Sequence, residues 1–415
     1  MFRLLNASAQ ADVRPRLEVA DVVRLYGEAY RHEHAVPLVH QRVLQAIARC
    51  RTAVLGGHLE ACNRCGYQRP VYNSCRNRHC PKCQTLAKAQ WLADRQAELL
   101  PVGYFHNVFT LPHELNDLAA ANPRLLYGQL FRSAAQTLQA FAAAPRYGLG
   151  GQLGFTAVLH TWDQKLLYHV HLHCVIAGGA LAFDGSRWLA ARPHYLFPVR
   201  ALSRAFRGHF LGGVQQAFAN AALALPGRLA ALAEPAALAQ FLHVLAAKDW
   251  VVYSQPPFGG GDKVLEYLSR YTHRVAISNR RLLDIADGKV TFEYRDRRDG
   301  NQLKALTVTA TEFLRRFLQH VTPPGLCRIR HYGFLSNRNK ERQLPRCRAL
   351  LGQAPGAQPS PEVPRDPVAL VLRFMGFDVS RCPSCQRGTL VVVQRLSAAP
   401  RSRTPTTQPG SADSS

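Results

Sequence analysis

The chain has 415 residues, 47% of them hydrophobic, with 52 Lys+Arg against 27 Asp+Glu and a formal net charge of +25. That length suits two or three domains with a sizeable core and excludes a disordered chain, and the charge points to a polyanionic partner, nucleic acid first. No apolar run approaches the roughly 20 residues of a spanning helix, and the opening MFRLLNASAQADVRPR lacks an apolar stretch and cleavage site, so neither signal peptide nor membrane is expected.

From Leu17 to Arg51 apolar residues recur at three and four, which predicts two helices within 1–57, the second opened by Pro37. A Cys-rich segment follows, and Gln84–Leu100 is again helical, giving a segment 58–100. Gly103–Leu111 reads as a strand and 113–143 as helix. Gln152–His160 and Leu167–Ile176 read as an antiparallel hairpin. An Ala/Leu-rich stretch at about 200–247 reads as a helical insertion. Trp250–Ser254 resembles a strand, Pro256–Gly261 a loop, and Lys263–Thr272 carries helical spacing. Arg280–Ala286 and Lys289–Arg295 flank Asp287-Gly288, a hairpin signal, and Leu303–Thr309 adds a strand. Residues 263–346 hold 18 Lys/Arg and 8 Asp/Glu, a basic region. A linker at 351–367, a small Cys-knuckle segment at 368–395 and a disordered tail over 396–415 complete the chain. The fold class is α+β: an N-terminal helical and zinc-binding subdomain, then an antiparallel sheet with flanking helices over 101–350.

Five of eleven cysteines lie between Cys62 and Cys83, which in a chain without a secretory signal favours metal over disulfides and a reducing compartment. Cys62-x2-Cys65 and Cys80-x2-Cys83 are separated by 14 residues, close to a zinc ribbon. His58, Cys75 and His79 are alternates, allowing one zinc with spare ligands or a two-metal cluster. From Ala61 to Ala93 the segment carries Arg64, Arg69, Arg76, Arg78, Lys82 and Lys88 and no acidic residue, so its surface should attract phosphate. Cys382-x2-Cys385 is a single knuckle without an obvious partner pair. Cys50, Cys174, Cys327 and Cys347 read as ordinary thiols.

In Tyr168–Ile176 His alternates with apolar residues, and period two puts His169, His171 and His173 on one face of a strand, able to grip a divalent ion. Such a face also suits a hydrolytic zinc enzyme. Further on, Tyr267 and Tyr271 lie four apart on one helical face with Arg270, His273 and Arg274 around them, and Arg280 and Arg281 follow. A packing stripe does not need such neighbours, whereas phosphate handling does. A tyrosine can attack a phosphodiester and hold the strand covalently.

The segments CNRCGYQRPVYNSCRNRHCPKCQ, HVHLHC, YLSRYTHRVAISNRRLL and HYGFLSNRNKERQLPRCRALLG, in this order from about His58 to Gly352, resemble the two-tyrosine HUH transposases of rolling-circle insertion sequences, the IS91 type and its ISCR relatives. The resemblance implies an HUH-type sheet whose His171 and His173, with His169 as third ligand or in an alternative register, hold Mg²⁺ or Mn²⁺. It implies Tyr267 and Tyr271 as nucleophiles that leave a 5′-phosphotyrosine and a free 3′-OH. The expected partners are the single-stranded ends of its own mobile element and target DNA, met in the bacterial cytoplasm at the nucleoid. The other readings are a non-catalytic zinc-dependent DNA-binding regulator and a plasmid rolling-circle replication initiator. Should the tyrosine helix not act, Tyr168 is the next candidate.

Overall fold

Residues 17–258, 276–296, 298–353, 364 and 366–399 are described by the structure, a computed structural model. Helix α1 (Val19–Glu33) buries Val19, Val22, Val23 and Tyr30, and α2 (Leu38–Arg49) buries Val43, Leu44 and Ile47, the stripes that the helical spacing requires. At the start of α1 the backbone N–H of Glu18 donates to the Asp21 carboxylate at 2.8 Å, one half of a capping box. The Cys-rich segment then forms a hairpin, β1 (Gly57–Cys62) and β2 (Gln68–Tyr72), and leads into α3 (Thr85–Glu98).

The main sheet starts with β3 (Tyr104–Thr110). The 113–143 stretch breaks at Asn122, giving α4 (Asn116–Ala121) and α5 (Pro123–Ala143), because Pro123 can open a helix but not continue one. Strands β4 (Gly151–Trp162) and β5 (Tyr168–Ala182) form the expected hairpin, longer than its polar and apolar alternation indicates. After β6 (Trp188–Ala190) come α6 (Val199–Ala219), α7 (Pro235–Ala247) and β7 (Val252–Phe258). With β11 (Ile329–Gly333) the order is β11-β4-β5-β3-β7, every neighbour antiparallel, with β6 beside β5.

Alternation decides what each face carries. Phe155, Ala157 and Leu159 of β4 and Val170, Leu172, Cys174 and Ile176 of β5 point to one side, where Leu130, Phe131 and Leu138 of α5 and Phe206 and Phe210 of α6 complete the main core. The Ala/Leu-rich stretch is thus part of the roof over the sheet. The opposite face is left to Thr156, Val158 and His160 of β4 and to the alternating histidines of β5.

A smaller sheet, β8 (Leu282–Ala286), β9 (Lys289–Asp296) and β10 (Gln302–Thr309), has the order β10-β9-β8. Its Asp287-Gly288 turn has φ of 49° and 69°, the left-handed pair that a tight hairpin turn needs. The helix Ala310–Leu318 buries Phe313, Leu314 and Phe317 against α1, α2 and this sheet, so the N-terminal helices share a core with the 276–318 region. The helix Pro367–Met375 lays Leu370 against Ala89 and Ala93 of α3. β12 (Leu390–Leu396) returns to pair with β1, giving the sheet β12-β1-β2. The Lys263–Thr272 stretch, expected to be helical, most of the linker and the tail beyond 399 lie outside the described residues. Among the described residues no single helix is long and apolar enough to cross a membrane.

Candidate metal centres and nucleic-acid interface

Three histidines meet on the sheet face opposite the helical core. His171 and His173 come from β5, and His160 of β4 stands directly across from His171 in the ladder. One ring nitrogen from each of these three lies within 4.8 Å of the others. The ring centroids of His160 are 5.3 Å from His171 and 4.5 Å from His173. The expected third member, His169, is on the same face but exposed, its ring 4.9 Å from His171 at the end of the strand, and it stays outside the group. The third imidazole thus comes across the ladder from β4 rather than along β5. His160 sits on the outward alternation of its own strand, a signal that becomes readable once the hairpin register is known.

Behind His173 lies His106 of β3, whose Nε2 is 2.9 Å from His173 Nδ1. That contact fixes the ring orientation and leaves His173 Nε2 for the cluster side. Burial pushes the His106 imidazole down to about 4, a shift opposed by the hydrogen bond that the ring donates to the Gln255 side chain of β7. Trp162 stacks on His160 at 4.5 Å and closes one side of the site. Tyr168 is on the other face: its hydroxyl meets that of Tyr127 under α5, and burial and that neighbour raise its pKa well above normal. Tyr168 is thus turned away from the histidine face. Tyr267 and Tyr271 lie outside the described residues.

The cysteines make two groups, and the expected set of Cys62, Cys65, Cys80 and Cys83 is divided between them. Cys80 and Cys83 join Cys75 and Cys50, the residue that ends α2, while Cys62 and Cys65 join Cys382 and Cys385. The hairpin β1–β2 points the first knuckle away from the second, and β12 brings the C-terminal knuckle alongside it. In the first group Sγ–Sγ separations are 3.1 Å for Cys50–Cys83 and 3.4 Å for Cys75–Cys83. All eight thiols are free. The alternates His58 and His79 belong to neither group: His58 Nε2 is 3.2 Å from Glu60 Oε1, and His79 is buried, accepting from Arg78 Nε at 3.4 Å. Burial and the Arg328 and Arg78 charges push His79 down to about 3.

Of the basic residues singled out from the sequence, Arg64, Arg76 and Arg280 are exposed and available to phosphate. Others are braces. The Arg78 guanidinium donates to the carbonyls of Leu326 at 2.8 Å and Pro323 at 3.1 Å and to the Thr322 hydroxyl. Lys82 pairs with Glu18 at 2.6 Å, and Arg281 donates to the carbonyls of Glu293 at 2.7 Å and of Gln164. Arg270, His273 and Arg274 lie outside the described residues.

The family described as "Transposase zinc-binding domain" matches residues 22–111, which hold six of the eight grouped cysteines, and the family "Putative transposase" matches residues 154–343, which hold the histidine cluster. The chain is 50% identical over 378 residues to "Putative transposase y4qJ" of Sinorhizobium fredii, covering 91% of this chain and 95% of that protein. It is 30% identical over 344 residues to "Transposase for insertion sequence element IS801" of Pseudomonas savastanoi pv. phaseolicola, covering 81% and 79%. No solved structure matches it. Two transposases aligned over most of their length, and both families matched in the order in which the chain lays down its metal groups, settle the ancestry: the chain belongs to the IS91 family of insertion-sequence transposases.

Proposed function

We propose that this transposase nicks and rejoins single-stranded DNA through 5′-phosphotyrosine intermediates in rolling-circle transposition, acting on the ends of its own element and on target DNA. The observation that carries the reading is the convergence of His160, His171 and His173 on two adjacent, rigidly paired strands. Neutral imidazoles bind the later transition-metal ions most tightly, and of the two ions expected here they hold Mn²⁺ more firmly than Mg²⁺. Held there, such an ion supplies Lewis-acid polarisation of a scissile phosphate.

The proposed nucleophiles are Tyr267 and Tyr271, and the ends of their segment support the assignment. Phe258, which precedes it, pairs with Tyr104 beside the Ala177 end of β5. Ala276, which follows it, packs with Leu166 just before the other end of β5, and Arg281 donates to its carbonyl. The described residues on either side of 259–275 thus lie beside β3, the neighbour of β5, and in the core that holds Leu166, two residues before β5. In the reaction the tyrosine oxygen forms a bond to phosphorus while the bond from phosphorus to the 3′ oxygen breaks. The phenolic proton is released and the 3′ oxygen takes one up. The strand stays attached as a phosphodiester, so its bond energy is kept for rejoining. Two tyrosines let one hold a strand while the other cuts again.

The test is cleavage of labelled single-stranded DNA from the element's ends. Cleavage is expected to need Mg²⁺ or Mn²⁺ and to stop with EDTA. His171→Ala/His173→Ala is expected to abolish it and leave DNA binding largely intact, because the basic surface supplies affinity. Full cleavage by that variant would overturn the metal site, and binding without cleavage by the unaltered protein would favour a DNA-binding regulator.

A further inference from the structure

The C-terminal knuckle has no partner pair near it in sequence, yet in the fold it faces the N-terminal knuckle across 317 residues of chain. Cys62 Sγ is 3.7 Å from Cys385 Sγ, and Cys65 Sγ is 3.7 Å from Cys382 Sγ. Zn–S bonds of about 2.3 Å put the corners of a tetrahedron about 3.8 Å apart. A disulfide would need about 2.05 Å. All four sulfurs lie within 4.8 Å of one another, so the set has the size of a tetrahedral thiolate site.

The two knuckles are also built alike. In each, the residue after the second cysteine is left-handed, Gly66 at φ 74° and Gln386 at φ 57°. The first cysteine's N–H donates across each loop, Cys62 to the Tyr67 carbonyl at 2.8 Å and Cys382 to the Gly388 carbonyl at 2.9 Å. Backbone N–H groups point at sulfur in both, Arg64 N to Cys62 Sγ at 3.4 Å and Gly388 N to Cys385 Sγ at 3.3 Å, which favours the thiolate. The knuckles are tied to each other as well: Asn63 N donates to the Thr389 carbonyl at 3.1 Å, and Thr389 N to Asn63 Oδ1 at 3.0 Å.

We propose that Cys62, Cys65, Cys382 and Cys385 bind one zinc ion that fastens the C-terminal arm to the N-terminal module, separately from a zinc held by Cys50, Cys75, Cys80 and Cys83. Val391, Val392 and Val393 of β12 are 45%, 60% and 53% exposed, so apolar burial does little to hold this strand on β1. Zinc coordination by four thiolates, with release of their protons, supplies binding free energy that becomes folding free energy. The family match ends at residue 111 and contains only half of this site's ligands, so the site is completed by a segment outside the matched zinc domain.

Native mass spectrometry of the full chain, purified without chelator, tests the assignment. The expected content is two zinc ions per chain. Cys62→Ser/Cys65→Ser and Cys382→Ser/Cys385→Ser are each expected to lose one zinc, and the fourfold variant is expected to lose one as well, since both pairs share an ion. One zinc in the unaltered chain, two in the Cys382→Ser/Cys385→Ser variant, or none in a fourfold variant that keeps its helical circular dichroism would each overturn the proposal. Gly388→Val keeps every cysteine and covers the case in which the serine variants do not fold. A Cβ at 388 meets Cys62 Sγ at 2.3 Å. In that variant a chromogenic chelator is expected to extract one of two zincs at least tenfold faster and the other at the unaltered rate. Unchanged extraction of both would refute the shared site.

Discussion

Replacing His160 by alanine removes one of the three grouped ring nitrogens, and replacing His169 removes none of them. The two substitutions therefore separate the ladder-built cluster from a cluster read along a single strand. Loss of a supporting partner behind a metal ligand costs 10–100-fold in affinity as a rule, so loss of a ligand is expected to cost at least about 100-fold, or about 2.7 kcal/mol at 1.36 kcal/mol per decade. His160 is also 3% exposed and stacked on Trp162, so its removal is expected to lower stability by about 1–3 kcal/mol. Titration of Mn²⁺ followed by electron paramagnetic resonance, at a temperature well below the melting transition, isolates the binding effect. His169→Ala is expected to stay within about threefold of the unaltered protein, because this residue is exposed at the strand end. The reasoning fails if His160→Ala binds Mn²⁺ as the unaltered protein does, or if His169→Ala is weakened as much as His160→Ala.

Three further outcomes follow from the packing. His320, 1% exposed between the Thr161 hydroxyl and the Leu166 carbonyl, is pushed down to about 3 by burial. Its folded pKa is depressed below the unfolded value of about 6.5, so the unfolded chain takes up the proton first, and stability is full above pH 6.5 and falls as the pH drops below it. Between pH 6.5 and 4.5 this one group accounts for about 2–3 kcal/mol, and a denaturant midpoint series is expected to flatten over that range in His320→Gln. Arg78→Ala is expected to lower stability by about 1–3 kcal/mol by stranding its carbonyl partners, while Arg64→Ala and Arg76→Ala leave the melt unchanged and each reduce the salt slope of DNA binding by about 1. Gly333 has φ of 62° and a Cβ there would lie 1.5 Å from the Leu153 carbonyl oxygen on β4, so Gly333→Ala is expected to destabilise the β11 edge by about 3 kcal/mol or more, seen as early hydrogen exchange of Ile329–Tyr332.

Local rules carry much of this molecule. The alternation in Tyr168–Ile176 marks His171 and His173 as neighbours on one face, and the hairpin of β4 with β5 follows from two alternating runs around a short turn. What a strand sequence does not state is its register, and His160 enters the cluster only through that register. The cysteine groups show the same limit over a longer range. Spacing makes Cys62-x2-Cys65 and Cys80-x2-Cys83 look like one ribbon, but each doubling of a closed loop adds only about 0.6 kcal/mol, so the distant Cys382 knuckle competes with the near one once β12 docks. Cys50 looks like a core thiol because its place beside Cys75, Cys80 and Cys83 depends on where α2 ends. Arg78 and Arg281 read as phosphate binders by charge alone, and the carbonyls that occupy them come from segments far along the chain.

The most direct measurement is recovery of the covalent intermediate. Single-stranded DNA from the element's end, labelled on the 3′ side of the cleavage position, is incubated with the protein and Mn²⁺ and resolved under denaturing conditions. The unaltered protein is expected to carry the label in a protein–DNA band whose peptide map places the modified tyrosine at Tyr267 or Tyr271, with the released strand ending in a 3′-OH that a polymerase extends. Tyr267→Phe/Tyr271→Phe keeps the ring and loses the reacting oxygen, and it is expected to bind the same DNA and give no band. A band of undiminished intensity from that double variant would contradict the assignment of this segment as the catalytic one.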